Sequence, residues 1–172
     1  MLIRRLTPSD AAAFQALRLF ALRECPTGFS SSHEEECDTA LAVIEGYFAP
    51  SSGRHFFGAF DGGQLAGMVG VGRETMSKVM HKASMRGMYV APGQRGKGAG
   101  QLLLDAALAC IATLDGVRQL HLTVTADNGA ARGLYESNGF HAYGREPNGL
   151  CVDGVSYDNV HMVRRMSPPN PC

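Results

Sequence analysis

The stretch Val90-Ala-Pro-Gly-Gln-Arg-Gly-Lys-Gly-Ala-Gly100 decides the fold. It lies between a strand-like run, Ala83–Val90, and an apolar run that reads as a helix from about Gly98 to Leu114. Gly96, Gly98 and Gly100 remove side chains where that helix begins. Successive backbone N–H groups can then face one anion, helped by the positive end of the helix. Arg95 and Lys97 add charge beside those amides. The pattern is a cradle for a phosphate or pyrophosphate. Three glycines alone would equally suit a turn that only packs helix closely on sheet.

Spacing narrows the choice. A Walker A loop needs GxxxxGK[ST], and no stretch fits. The dinucleotide fingerprint needs GxGxxG, and Gly96-Lys-Gly98 is followed by Ala99-Gly100-Gln101. What fits is RxxGxG, from Arg95 to Gly100.

Outward from the turn, the chain alternates strands and helices. Leu2–Leu6 reads as a short strand. A helix follows Thr7 and Ser9 and ends at Pro26. Ser31 and Ser32, three residues before Glu34 and Glu35, form a capping box for a second helix running to about Phe48. Arg54–Phe60 and Leu65–Glu74 flank Asp61-Gly62-Gly63 and predict a hairpin. Thr75–His81 is polar and reads as a loop. Beyond Gly116, Gln119–Thr125 alternates as a half-buried strand. Asp127 is the expected cap of a helix through Ser137. Phe140–Arg145 and Val155–Met166 complete the strands, joined by a loop over Glu146–Gly154. The order is βαα βββ α β α ββ, a mixed α/β pattern in one domain.

The full chain has 172 residues, enough for one core without disulfide or metal staples. Sixteen basic residues balance sixteen acidic ones, which argues against a nucleic-acid protein held by phosphate contacts. The most apolar helical run is too short to span a bilayer. Five widely spaced cysteines without a CxxC pair give no zinc or redox motif and suit a reduced, cytoplasmic setting. The tail Ser167–Cys172 is expected to be flexible.

The glycine turn, preceded by Met88-Tyr89-Val90 and Pro92, resembles the acetyl-CoA signature of the GNAT N-acetyltransferase superfamily. A second segment, LxVxxxNxxAxxLYxxxGF from Leu122 to Phe140, is similar to that superfamily's other hallmark and has its full spacing. The resemblance covers about Ala83–Phe140 strongly. It implies a single-domain α/β (α+β) GNAT-like fold over residues 1–166. In that fold a mixed, mostly antiparallel sheet of roughly six to seven strands, flanked by about four helices, has splayed central strands. Its cofactor would be acetyl-CoA, its acceptor a small-molecule or peptide amine. Similar enzymes are commonly homodimers, and the sequence itself shows none.

The resemblance also implies roles. The CoA arm would pair with backbone of Met88 and Val90 beside Tyr89, like an added strand. Arg95, Gly96, Lys97, Gly98, Ala99 and Gly100 would take the pyrophosphate, and Asn128 would contact the arm. Transfer to an amine needs a donor for the oxyanion, for which the Val90 N–H serves. It needs a proton for the leaving thiolate, for which Tyr135 stands in the family's usual place. Tyr135 also suits a core tyrosine whose hydroxyl bonds to backbone. Many members carry a glutamate on the strand before the turn, whereas here Ala83–Met88 has no acid. Glu74 is the nearest carboxylate by layout and could act through water, or could be a solvated strand-end charge. His81 and His121 are further options, and the base stays unassigned. Glu34-Glu35-Glu36 could attract a cationic amine, but carboxylates in a helix's first turn more simply stay hydrated there. Phe29 suits a substrate pocket and a loop anchor equally. A non-catalytic acyl-CoA-binding module and an N-terminal protein acetyltransferase remain as alternatives to a small-molecule enzyme.

Overall fold

The computed structural model describes residues 1–166, so the expected tail lies outside the described residues. A seven-stranded sheet carries five helices. In chain order these are β1 (Leu2–Arg5), α1 (Ala11–Glu24), α2 (His33–Glu36), α3 (Leu41–Phe48), β2 (Arg54–Asp61) and β3 (Gln64–Arg73). Then come β4 (Lys82–Val90), α4 (Ala99–Ala112), β5 (Gln119–Thr125), α5 (Gly129–Ser137), β6 (His141–Val152) and β7 (Val155–Arg165).

The sheet order is β1-β2-β3-β4-β5-β7-β6. Every neighbouring pair is antiparallel except β4 and β5, which α4 joins as a crossover. The expected mixed, mostly antiparallel sheet is therefore present. The parallel pairing covers only Lys82–Ser84 against Gln119–His121. Beyond Ser84 the two strands part and form a fork.

A bulge in β4 explains the fork. Met68 pairs with Tyr89 and Gly70 with Arg86, so Gly87 and Met88 together oppose Val69 alone. Gly87 has φ +62°, a conformation glycine adopts without strain. Such a bulge bends its strand and shifts the side-chain alternation by one. Before it, Ala83 and Met85 pack under α4 with Leu103, Leu104 and Leu120. After it, Met88 and Val90 take that face, and Tyr89 joins Phe14, Leu17 and Met68 under α1. Two apolar clusters thus sit on opposite faces of one sheet.

Three local expectations change. The second helix is two helices: α2 stops at Glu36 and α3 restarts at Leu41. Asp38 and Thr39 offer the backbone alternative hydrogen bonds. The Gln15 side chain also holds the Thr39 carbonyl at 2.7 Å. The predicted Ser32–Glu35 capping box is present at the start of α2. Second, α5 is capped by Asn128, whose Oδ1 accepts from the Ala131 N–H at 3.1 Å, and not by Asp127. Third, Glu146–Val152 is strand, not loop. Asn148 (φ +53°) sits in an irregularity between Glu146 and Leu150, and the turn is Asp153-Gly154 alone (φ +50° and +78°).

Candidate active site

The glycine turn meets the fork. Gly98 caps α4 with φ +83°, and Gly96 has φ +74°. No heavy atom beyond its chain neighbours lies within 4 Å of where a Cβ on Gly96 or Gly98 would stand. The glycines are therefore needed for backbone shape and an open approach, not for packing. Among the described residues, no backbone carbonyl accepts from the amides of Gly96, Lys97 or Gly98. The first-turn amides of α4 lack intrahelical partners by geometry. These amides are free donors on one short stretch of backbone.

Val90 offers its backbone to the fork. The Ala91 N–H bonds the Ala66 carbonyl on β3 at 2.8 Å. Alternation along the strand turns the Val90 and Met88 amides the other way, toward the edge that β5 has left. The Arg95 Nε donates to the Val90 carbonyl at 2.9 Å, and the β4–β5 pairing, which covers only Lys82–Ser84, does not reach the Val90 N–H.

Arg95 departs from the expected picture. Its Nη2 lies 2.7 Å from Glu24 at the end of α1, and its guanidinium stands 5.5 Å from the Tyr89 ring centre. Hydrogen bonding from Arg95 holds the Glu24 carboxyl below its usual range. Tyr89 donates its hydroxyl to the same carboxylate at 3.0 Å. Burial first, and then Glu24, pushes the Tyr89 hydroxyl up to about 12. Arg95 thus ties the turn to α1, and the amides carry the anion-binding geometry. Lys97 is exposed and free of ion pairs among the described residues.

Tyr135 is 7% exposed and packs against Phe140, with ring centres 5.8 Å apart. Burial alone pushes its hydroxyl up to about 12. No hydrogen bond to a described residue is among the causes of that shift. A hydroxyl of this kind stays protonated at neutral pH and has a proton to donate.

On the other side of the sheet a cleft of about 840 Å³ opens over the fork. Phe29 lines it, packs against the apolar cluster under α1, and carries the Arg18 guanidinium 4.4 Å above its ring. Glu36 is not merely hydrated. It pairs with Arg18 at 2.7 Å and accepts from the Ser31 hydroxyl, and Arg18 holds its carboxyl below the usual range. Glu74 is outside the cleft lining, but it accepts from the Ser84 hydroxyl at 2.6 Å, and Ser84 does line the cleft. His121 lines it too, and burial first, then the Lys82 charge, lowers its pKa.

Sequence reading misses a third group in the cleft. Thr123 Oγ1 and His161 Nδ1 are 3.0 Å apart, and His161 Nε2 is 3.2 Å from Glu146. The only signal in the sequence is polar residues at alternate strand positions, and their meeting depends on the β5–β7 register.

The model of the acetyltransferase (GNAT) family matches residues 16–140. The chain belongs to this family. The GNAT acyl donor is acetyl-CoA. An acetyltransferase of the GNAT family from Streptococcus pneumoniae superposes with a TM-score of 0.85 at 27% identity, covering 96% of this chain and 99% of that one. The protein yncA from Salmonella typhimurium, solved with acetyl-CoA, shares the fold. Its TM-score is 0.78 at 20% identity, covering 100% of this chain and 99% of that one. YwnH of Bacillus subtilis (strain 168), provisionally named a phosphinothricin acetyltransferase, is 32% identical over 87 residues, 51% of this chain and 53% of YwnH. The chain thus spans about half the length of this curated relative. Among the described residues, no helix is long and apolar enough to cross a membrane.

Proposed function

We propose that this GNAT protein moves the acetyl group of acetyl-CoA to a primary amine by direct attack in a ternary complex. The observation that carries this reading is the fork itself. Its open Val90 edge and the glycine turn serve one ligand from one side, and the cleft opens onto the same fork from the other. Bound acetyl-CoA would supply an activated thioester carbonyl. The Val90 N–H would hold the developing oxyanion, a contact worth about 3–4 kcal/mol where such donors have been removed. The Gly96–Gly100 amides would hold the diphosphate, with Arg95 fixing the turn through Glu24. Asn128 would act by shaping the start of α5 beside the arm. The buried, proton-bearing Tyr135 would donate toward the leaving sulfur.

The acceptor reading is a small amine carrying an anionic group. Arg54 and Arg86 line the cleft without an ion-pair partner among the described residues. The Thr125 hydroxyl bonds the Thr27 carbonyl and straps the loop of Phe29 to β5. Thr27, Phe29, Thr125 and Leu150 line the same cleft, and holding the Phe29 loop to β5 there favours a small molecule over a protein N-terminus. The name of YwnH points to the same class of acceptor.

For the amine proton, Glu74 would need a water bridge past Ser84, and a cleft-facing alternative is developed below. The test is release of free CoA from acetyl-CoA with L-phosphinothricin, L-glutamate, L-methionine, spermidine, an aminoglycoside and a short peptide. Turnover with an anionic amino acid is expected to exceed that with spermidine tenfold or more. CoA binding without release by any amine would overturn the transferase reading in favour of a binding module.

A further inference from the structure

We propose that Thr123, His161 and Glu146 form the relay that takes the proton from the acceptor amine. The inference rests on the transfer reading above and adds the group that reading lacks.

Position comes first. The β4–β5 pairing ends at Ser84 opposite His121. Beyond the fork Leu122 and Thr123 both line the cleft, and Thr123 is the first there to offer a polar side chain, since Leu122 packs in the α4 core. The Thr123 side chain meets an acceptor that reaches the fork. His161 stands directly across on β7, paired in register with Thr123.

Tautomer comes second. The Glu146 carboxylate 3.2 Å from Nε2 can only accept. In the neutral ring the Nε2 proton therefore points at Glu146, and Nδ1 is left as an acceptor. Thr123 Oγ1, 3.0 Å from Nδ1, then donates its own proton to the ring. The hydroxyl's lone pairs remain turned to the cleft. The order hydroxyl, imidazole, carboxylate is the arrangement that draws a proton inward.

Surroundings come third. The residue opposite His161 on β6 is Gly144, which leaves the ring its place on the sheet face. Tyr143 lies 6.0 Å away, ring centre to ring centre, and separates it from His121. Among the described residues, Glu146 is the carboxylate within ion-pair distance of the ring.

The proton balance is simple. The ammonium gives one proton to Thr123 Oγ1 as the Thr123 proton passes to His161 Nδ1. The imidazolium stands beside Glu146 and later releases its proton to cleft water. The free amine forms its bond to the acetyl carbon, and the carbon–sulfur bond breaks. As the carbon–sulfur bond breaks, Tyr135 gives its proton to the sulfur, and the second amine proton passes to the Tyr135 oxygen through cleft water, so Tyr135 is restored.

Two measurements test this. Nitrogen-15 spectra of the ligand-free protein should show His161 as the Nε2–H tautomer, and Glu146→Gln should weaken that preference. Kinetics on the best acceptor of the panel should show kcat for His161→Gln and Thr123→Val down tenfold or more, with the acidic limb of the profile altered. Calorimetric affinity for acetyl-CoA should stay within about twofold, since neither residue is in the glycine turn. Glu74→Gln should change kcat less than His161→Gln. The proposal is overturned by a resting Nδ1–H tautomer, by His161→Gln turnover within threefold of the parent, or by a larger loss in Glu74→Gln. If no amine is turned over, the transferase reading fails first, and the tautomer still decides whether the relay is wired as stated.

Discussion

The glycine turn and the acceptor cleft are built from different parts of the chain. The turn is continuous backbone, Arg95–Gly100, and its working groups are amides that residue type alters only through conformation or, for proline, by removing the N–H. The cleft is side chains from α1, the loop at Phe29, β4, β5, β6 and β7, brought together only by sheet register. A site of the first kind breaks through backbone strain and tolerates charge changes. A site of the second kind breaks one side chain at a time. Substitutions that separate acetyl-CoA binding from turnover therefore probe this difference directly.

The largest effect is expected at Gly98. Its φ of +83° suits glycine, and a β-branched residue there is strained by about 1–2 kcal/mol. A valine would also fill the open space that the amides face. Gly98→Val should weaken acetyl-CoA binding roughly a hundredfold by calorimetry, while the melting temperature falls only several degrees. Binding within threefold of the parent would show that the amides do not carry the diphosphate.

Tyr135→Phe comes next and should do the opposite. The ring still fills its place against Phe140, so acetyl-CoA affinity should hold. Turnover should fall tenfold or more for want of a donor to sulfur. Its hydroxyl is raised to about 12 by burial. The proton is held more firmly than in water, so activity should show no alkaline loss from Tyr135 below about pH 10. Unchanged turnover with several amines would remove Tyr135 from the mechanism.

The same difference decides what the sequence made legible. RxxGxG, the second hallmark and the Asp61-Gly62-Gly63 hairpin are local patterns, and all lie where spacing puts them. The break between α2 and α3 escapes because Gln15 holds it from another helix. The length of β6 escapes because Asn148-Gly149 reads as a turn, while pairing to β7 continues it as strand. The bulge at Gly87 looks like one more glycine until its register with Val69 is known. Thr123 and His161 are 38 residues apart, and no local pattern joins them. Arg95 shows the converse. Its place in the motif is legible, but its partner Glu24 lies 71 residues away.

The smallest effects sharpen the comparison with two matched ion pairs. Glu24 ties Arg95 at the turn, and Glu36 ties Arg18 in the cleft. Both carboxyls are held below their usual range, first by hydrogen bonds from their arginines. Each pair therefore adds stability above the unfolded carboxyl pKa, near 4.3. That contribution is lost as pH falls through the lowered folded value. Neither titrates between pH 6 and 9, so charge removal by mutation is the probe. With Arg95 half-exposed, the Glu24 pair contributes at most about 1 kcal/mol. Glu24→Gln should raise KM for acetyl-CoA roughly three- to fivefold and leave the acceptor KM alone. Glu36→Gln should raise the acceptor KM by a similar factor and leave acetyl-CoA alone. Steady-state kinetics with each substrate varied in turn reads both. If either variant moves both constants together, the two halves are mechanically coupled through α1, which carries Arg18 and Glu24 on one rigid helix.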